Sequence, residues 1–211
     1  MSLILENLQV QLKQQYLFNP VSVTVVPGSI ATVMGPSGCG KSTLLASVWG
    51  NFAPGFSMSW TIRLHGKELN GIPMEKRKVG ILFQDDLLFP HLDVFGNMAF
   101  GLNAMDDRER RIRSALASAD LEGFEHRDIA TLSGGQRARV SLLRTLLSEP
   151  QAILLDEPFS KLDQQLKQSF RDFVFSEVLK LNIPAILVTH DSNDAAANGP
   201  LLHLVNGDAD A

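Results

Sequence analysis

One octapeptide constrains the fold of this chain more than any other segment: Gly35-Pro36-Ser37-Gly38-Cys39-Gly40-Lys41-Ser42. It fits the pattern GxxxxGK[ST], and it lies between an apolar strand pattern over 30–34 and a helical pattern over 40–49. Glycines let successive backbone N–H groups turn toward phosphate oxygens, and the beginning of a helix adds a positive dipole there. The octapeptide in this setting therefore predicts a nucleotide-binding site.

The last residues of this phosphate loop have separate expected roles. Lys41 would reach the β- and γ-phosphates, and the hydroxyl of Ser42 would coordinate Mg²⁺. We also expect the neighbouring Thr43 to contact the nucleotide. Cys39 is interpreted as a tolerated small residue; as the one cysteine of the chain it cannot form an internal disulfide, which fits a reducing compartment.

Hydrophobic periodicity assigns the chain to the α/β class. Strand patterns cover 3–12, 21–26, 30–34, 60–64, 80–83, 152–155 and 183–189. The segment over 85–149 is predicted to be helical, with apolar residues spaced along one face at Ile112, Leu116 and Ala119. A second helical pattern lies between the last two strands, and this strand, helix, strand order with apolar strands predicts a parallel sheet.

Composition excludes several classes of function. The 211 residues carry a net charge of −4, so no overall basic field attracts nucleic acid, and we expect no nucleic-acid partner. No window approaches the roughly 18 consecutive apolar residues of a membrane span, and the first residues lack a signal-peptide pattern. The charged run over 106–113 is interpreted as a solvated helix face.

Two carboxylates follow the strand predicted over 152–155. This position places Asp156 at the carboxyl edge of the sheet beside the phosphates, where it can hold the Mg²⁺ shell. Glu157 can polarise a water molecule. The alternative is that the Asp-Glu-Pro sequence only forms a strand-to-turn junction.

A pentapeptide further along the chain gives a more specific signal: Leu132-Ser133-Gly134-Gly135-Gln136. Ser133 and Gln136 fit a capping box at the beginning of a helix that runs to about Leu147. Capping does not explain two glycines in a first helical turn, where each costs about 1 kcal/mol relative to alanine. A ligand that approaches the backbone closely would explain them, and at a helix N-terminus that ligand is an anion.

The pentapeptide, the phosphate loop and the Asp156-Glu157 pair together resemble the ATP-binding cassette family, from about residue 4 to 206. The resemblance implies a P-loop NTPase with a parallel core sheet, an antiparallel β subdomain and an inserted α-helical subdomain. It implies one nucleotide-binding domain over 1–206, with a RecA-like core over 1–85 and 150–206, a helical subdomain over 86–149 and a short tail over 207–211.

The resemblance also implies ATP and Mg²⁺ as cofactors and a second copy of the chain as partner. Two copies would pack head to tail around two ATP molecules. Ser133, Gly134, Gly135 and Gln136 would then face the γ-phosphate held by the loop of the other copy. We expect Asp163, in the segment Ser160-Lys161-Leu162-Asp163, to lie in the loop that crosses this interface.

Matching positions supply the remaining site residues. Gln84 corresponds to the glutamine that contacts Mg²⁺ or the attacking water, and His190 to the histidine that senses the γ-phosphate. We expect Glu157 to act as general base, with His190, Lys41 and Gln84 as the other catalytic residues and Ser42, Gln84 and Asp156 as metal ligands. A P-loop kinase or GTPase is a distant alternative, since neither needs the pentapeptide.

The sequence departs from the family at the base. The aromatic residue on which the family stacks adenine corresponds here to Leu12, and the nearest aromatic residue before Phe18 is Tyr16. Either the loop is shifted or an aliphatic contact replaces the stack. In both cases the selectivity for adenine is in question.

The apolar segment over 83–100, which contains Leu88-Phe89-Pro90-His91, implies that the partners include membrane proteins. Similar segments occur in cassettes that import small solutes, and part of this one could form a groove for a short helix of a permease subunit. The expectation is an importer ATPase at the cytoplasmic face of the inner membrane, with permease subunits and, indirectly, a periplasmic binding protein. The alternative is a soluble cassette ATPase acting mechanically on a protein or nucleic acid. A further C-terminal regulatory domain is not expected.

Overall fold

The structure, a computed structural model, describes residues 2–13, 15–51, 54–102 and 107–205. The beginning of the charged run over 106–113 and the predicted tail over 207–211 lie outside the described residues. Among the residues described, no helix is long and apolar enough to cross a membrane. The strands are β1 (Leu3–Leu12), β2 (Gln15–Tyr16), β3 (Val21–Val25), β4 (Ile30–Met34), β5 (Phe56–Leu64), β6 (Lys67–Glu68), β7 (Val79–Leu82), β8 (Ala152–Asp156), β9 (Ala185–Thr189) and β10 (Leu201–His203).

A parallel sheet forms the centre of the fold, in the order β10-β4-β9-β8-β7. Its central strands are apolar on both faces: Ile153 and Leu155 of β8 pack into one hydrophobic cluster, and Ala152 and Leu154 pack into another. Strands with two buried faces are characteristic of parallel sheets covered on both sides. The predicted α/β class and parallel core sheet are confirmed.

An antiparallel sheet covers one side of this core. Strand β1 pairs with β2, β3 and β5, and β5 pairs with β6. Leu3, Leu5 and Leu8 of β1 are buried in the same cluster as one face of the parallel sheet. The sequence predicted β5 to begin at residue 60, but it begins at Phe56 because the whole segment pairs with β1. The two-residue strands β2 and β6 were not predicted.

The helices are α1 (Lys41–Trp49), α2 (Val94–Ala99), α3 (Arg108–Ser118), α4 (Gly134–Leu147) and α5 (Gln164–Leu181), with short 3-10 turns at Met74–Lys76, Ile129–Thr131 and Ser192–Asp194. Helix α5 packs Phe170, Val174 and Val178 against the face of the parallel sheet opposite the antiparallel one. Helices α2, α3 and α4 share a third cluster, in which Ile112 and Leu116 are buried as their spacing predicted.

Tight packing explains one glycine of the phosphate loop. Gly40 precedes α1 with a φ of 94°, in the left-handed region that favours glycine. A Cβ atom on Gly40 would lie 2.8 Å from the ring of Phe18 and 3.3 Å from the Cβ of Leu17. The turn into α1 therefore requires a residue without a side chain.

A buried amide organises the loop that precedes α2. Asn97 is fully buried, and its side chain donates to the carbonyl oxygens of Phe89, Leu92 and Asp93 at 3.0 to 3.2 Å. Its Oδ1 accepts from the backbone N–H of Phe89 at 2.7 Å. One side chain thus forms hydrogen bonds with backbone groups at several points along the loop.

We expect Asn97→Ala to lower the free energy of unfolding by about 2 kcal/mol, because it removes the hydrogen bonds that a fully buried side chain makes with the backbone of the loop. Denaturation in urea, followed by circular dichroism, measures this change. The matched control Asn51→Ala, at an exposed position, should stay within about 0.5 kcal/mol of the wild type. Equal stabilities of the two variants would contradict this role for Asn97.

Candidate functional site

The register of the parallel sheet brings three loops to one edge. Met34 at the end of β4 lies opposite Thr189 of β9, and Asp156 at the end of β8 lies opposite Val188. The phosphate loop follows Met34, Glu157 follows Asp156, and His190 follows Thr189. The carboxyl edge of such a sheet is where ligands bind in open α/β folds.

The ammonium group of Lys41 lies inside the phosphate loop. Lys41 is only 6% exposed, and its Nζ donates to the carbonyl oxygens of Gly35 at 2.9 Å and Pro36 at 3.0 Å. The same nitrogen lies 3.8 Å from Oε1 of Glu157. A buried cation is therefore held at the centre of the loop, where phosphate oxygens would be attracted to it.

Ser42 and Asp156 form a pair of oxygen donors next to this cation. The hydroxyl of Ser42 donates to Oδ1 of Asp156 at 3.1 Å. Burial raises the pKa of the Asp156 carboxyl above its usual value, and the hydrogen bond from Ser42 opposes that rise. A hydroxyl and a carboxylate, two hard oxygen ligands, fit the coordination preference of Mg²⁺ bound together with phosphates.

Glu157 and His190 are in direct contact. The Nδ1 atom of His190 lies 2.9 Å from Oε2 of Glu157. Glu157 has a φ of 46°, and its backbone N–H donates to the carbonyl of Val188 at 3.0 Å, which ties the turn after β8 to β9. This turn directs the carboxylate toward both Lys41 and His190. The arrangement can accept a proton at the carboxylate and offer an imidazole beside it.

Gln84 follows β7 at the carboxyl edge of the parallel sheet. Its Nε2 donates to the hydroxyl of Ser160 at 3.1 Å, and that hydroxyl donates to the carbonyl of Glu157 at 2.8 Å. Asp85 forms an ion pair with Lys161 in the same place. The segment after β7 and the segment after Glu157 are thus linked through side chains.

The pentapeptide over 132–136 lies at the beginning of α4, away from the phosphate loop. Its predicted capping box is present: Ser133 accepts from the backbone of Gln136 at 3.3 Å, and Gln136 accepts from the backbone of Ser133 at 2.9 Å. A Cβ on Gly135 would lie 3.3 Å from the side chain of Leu166 in α5. Among the described residues, none of the pentapeptide lines the cleft formed by the phosphate loop.

Asp163 directly precedes helix α5 and caps it, since its carboxylate accepts from the backbone N–H of Leu166 at 3.0 Å. One turn later, Lys167 lies 2.5 Å from Asp191 and 3.1 Å from the buried Asp194. These contacts anchor the segment after His190 to α5. The sequence reasoning did not identify Lys167 or Asp194, because only the folded chain brings residues 167 and 194 together.

The cleft beside the phosphate loop has a volume of about 400 Å³. Its lining comprises Leu12, Leu17, Ser37, Gly38, Gly40, Lys41, Ser42, Thr43, Phe56 and Glu157. Leu12 lines the cleft, which agrees with the alternative of an aliphatic contact at this position. Tyr16, the nearby aromatic residue considered from sequence, is absent from this lining in the described part of the chain. Leu17 and Phe56 were missed, since no motif marks them.

Comparison with known proteins agrees with this geometry. A family model described as "ABC transporter" matches residues 18–160. The uncharacterised ABC transporter ATP-binding protein YnjD of Escherichia coli K12 is 46% identical over 205 residues, which are 96% of this chain and 94% of that protein.

Two relatives are named for import. The Fe(3+) ions import ATP-binding protein FbpC of Mannheimia succiniciproducens is 36% identical over 92% of this chain, and the spermidine/putrescine import ATP-binding protein PotA of Mesoplasma florum is 40% identical over 83% of it. The matches span 56% and 50% of those two proteins.

The shared family model, the identity with YnjD along almost the whole of both chains and the cation, carboxylates and imidazole at one sheet edge lead to the same conclusion: this chain is an ATP-binding subunit, and so an ATPase, of the ABC transporter family.

Proposed function

We propose that the chain powers a membrane importer and that it does so as a dimer bridged by ATP. The observation that carries the proposal is the contact of Glu157 with His190 at 2.9 Å, beside Lys41 at 3.8 Å. A carboxylate base, an imidazole and a buried cation brought to one place can together carry out hydrolysis of a γ-phosphate. The relatives named for import support import as the direction of transport.

Each residue of this edge has a proposed task. The backbone of Gly35, Pro36, Ser37, Gly38, Cys39 and Gly40 surrounds the phosphates, with Thr43 as a further contact. Lys41 binds the β- and γ-phosphates through its ammonium group. Glu157 accepts a proton from the attacking water, and His190 fixes the γ-phosphate. Gln84 lies where it can contact that water or the metal.

Mg²⁺ belongs to this proposal as the ion held by Ser42 and Asp156. Bound there, it would neutralise negative charge on the phosphate oxygens. Deprotonated Asp156 is the form that binds a cation. Because burial raises the pKa of this carboxyl, Mg²⁺ would also keep it ionised.

The second copy follows from the placement of the pentapeptide. The first turn of α4 offers backbone N–H groups and a helix dipole to an anion, while the phosphate loop of the same chain forms a separate cleft. A head-to-tail dimer resolves this separation, since Ser133, Gly134, Gly135 and Gln136 of one copy then face the γ-phosphate in the other. Asp163, at the beginning of α5, would lie in the same interface.

The permease subunits would dock on the helical part of the chain. Phe100 is 69% exposed and Leu87 is 54% exposed, and the ring of Phe100 lies 4.6 Å from that of Phe89. The rings of Phe89 and Phe100 form an apolar surface next to the loop that Asn97 organises, and the exposed side chain of Leu87 lies two residues before Phe89 in the chain. A short amphipathic helix from a membrane subunit fits such a surface. We therefore expect the chain at the cytoplasmic face of the membrane, and a periplasmic binding protein would deliver the solute to the permease.

We expect Glu157→Gln to bind ATP but to lower the rate of phosphate release by at least about 100-fold, because the amide cannot accept the proton of water. With hydrolysis blocked, MgATP should hold two copies together. Phosphate release and the mass in solution by light scattering, each with and without MgATP, measure the two effects.

The matched control for this experiment is Glu122→Gln, at an exposed position of the helical part. It should hydrolyse ATP at the wild-type rate and form no lasting dimer. Unimpaired steady-state hydrolysis by Glu157→Gln would reject Glu157 as the general base.

We expect Phe100→Glu to reduce recovery of the membrane subunits with the tagged chain by about tenfold or more, because a charge replaces an apolar anchor. Purification from detergent-solubilised membranes of the source cells, followed by quantitative mass spectrometry, measures the recovery. ATP hydrolysis by the isolated variant should be unchanged. Leu179→Glu, at another exposed apolar residue, is the control and should retain the membrane subunits. Recovery of soluble proteins alone would contradict the importer assignment.

A further inference from the structure

The cleft beside the phosphate loop has two chemically different ends. At one end lie Lys41, Ser42 and Glu157, which the proposed function assigns to the phosphates and their hydrolysis. At the other end the lining side chains are Leu12, Leu17 and Phe56, none of which can form a side-chain hydrogen bond. The apolar end adjoins the loop directly, since a Cβ on Gly40 would lie 3.3 Å from the Cβ of Leu17.

Two antiparallel strands hold the apolar end in place. Leu12, the last residue of β1, is paired directly with Phe56, the first residue of β5, and directly opposed side chains lie on the same face of a sheet. Leu17 is fixed by its backbone, whose N–H donates to the carbonyl of Val10 at 2.9 Å. Both Leu17 and Phe56 are half-buried and pack against the main hydrophobic cluster. The surface is therefore formed before any ligand arrives.

We propose that Phe56, Leu12 and Leu17 form the surface that contacts the base of the bound nucleotide, an inference that rests on the proposed function. The ring of Phe56 takes the place of the stacking aromatic that Leu12 cannot supply, and it comes from the neighbouring strand. A cleft of about 400 Å³ that is apolar at one end and polar at the other suits a ligand with a flat base and a charged tail.

The same surface determines selectivity. Stacking on an aromatic ring tolerates any base, because every base has a π face. Discrimination between adenine and guanine requires hydrogen bonds to their different exocyclic groups, and the three apolar side chains offer none. The side chains described at this surface therefore do not distinguish the two purines, and we expect similar affinities for ATP and GTP.

The test compares the binding of three probes, each in the presence of Mg²⁺: a non-hydrolysable ATP analogue, the corresponding GTP analogue and inorganic tripolyphosphate. We expect Phe56→Ala to lower the affinity for both nucleotide analogues by about tenfold, because one stacking contact is lost. The affinity for tripolyphosphate should stay unchanged. Phe56→Leu, which keeps an apolar side chain against Leu12, should give an intermediate loss. Isothermal titration calorimetry measures all three affinities.

Tyr16→Ala is the matched control, because it removes the nearby aromatic side chain that does not line the cleft. It should leave all three affinities unchanged. Nucleotide binding that is lost in Tyr16→Ala but retained in Phe56→Ala would overturn the proposal, as would a strong preference of the wild type for the ATP analogue. If the wild type failed to bind tripolyphosphate, the phosphate site itself, and with it the proposed function, would be wrong. A loss of tripolyphosphate binding in Phe56→Ala and Phe56→Leu alone would show a structural role and reject the base contact.

Discussion

The parallel pairing of β4, β9 and β8 is the constraint on which the site depends. It sets Met34 level with Thr189 and Asp156 level with Val188, so that the phosphate loop, His190 and Glu157 leave the sheet at one edge. Both faces of these strands are buried, and a slip of one residue would move every side chain to the opposite face. Packing therefore fixes the register, and the register fixes the spacing of the groups that hydrolysis requires.

Lys41 shows how a charged site is kept stable before a nucleotide binds. The carbonyl oxygens of Gly35 and Pro36 satisfy its ammonium group, and Glu157 lies within reach of its charge. A buried cation without such partners would be costly. Phosphate oxygens would replace neutral acceptors with charged ones, which form stronger hydrogen bonds. The ammonium group would then exchange weaker hydrogen-bond partners for stronger ones.

Local chemistry made part of this molecule predictable from sequence. The phosphate loop, the capping box of Ser133 and Gln136 and the burial of Ile112 and Leu116 each depend on residues close together in the chain. Long-range pairing was not predictable: β5 extends back to Phe56 only because β1 lies beside it, and β10 depends on β4 in the same way. The cleft was therefore foreseen at its phosphate end, where a motif marks it. Its apolar end, which two strands build together, was not.

The segment after β7 connects the phosphate edge to the helical part of the chain. Gln84 is bonded to Ser160, whose hydroxyl reaches the backbone of Glu157. Two residues further on, Asp86 pairs with Arg137 at 3.0 Å, and its carbonyl accepts from Ser141 at 2.7 Å, both on α4. Arg144 of the same helix donates to the carbonyl of Leu87 at 3.0 Å. A displacement of Gln84 toward a bound nucleotide would therefore pull on α4 through several bonds at once. The pentapeptide lies at the beginning of α4, and α4 packs against α2. A movement of α4 would therefore displace both the proposed dimer contact and the proposed permease surface.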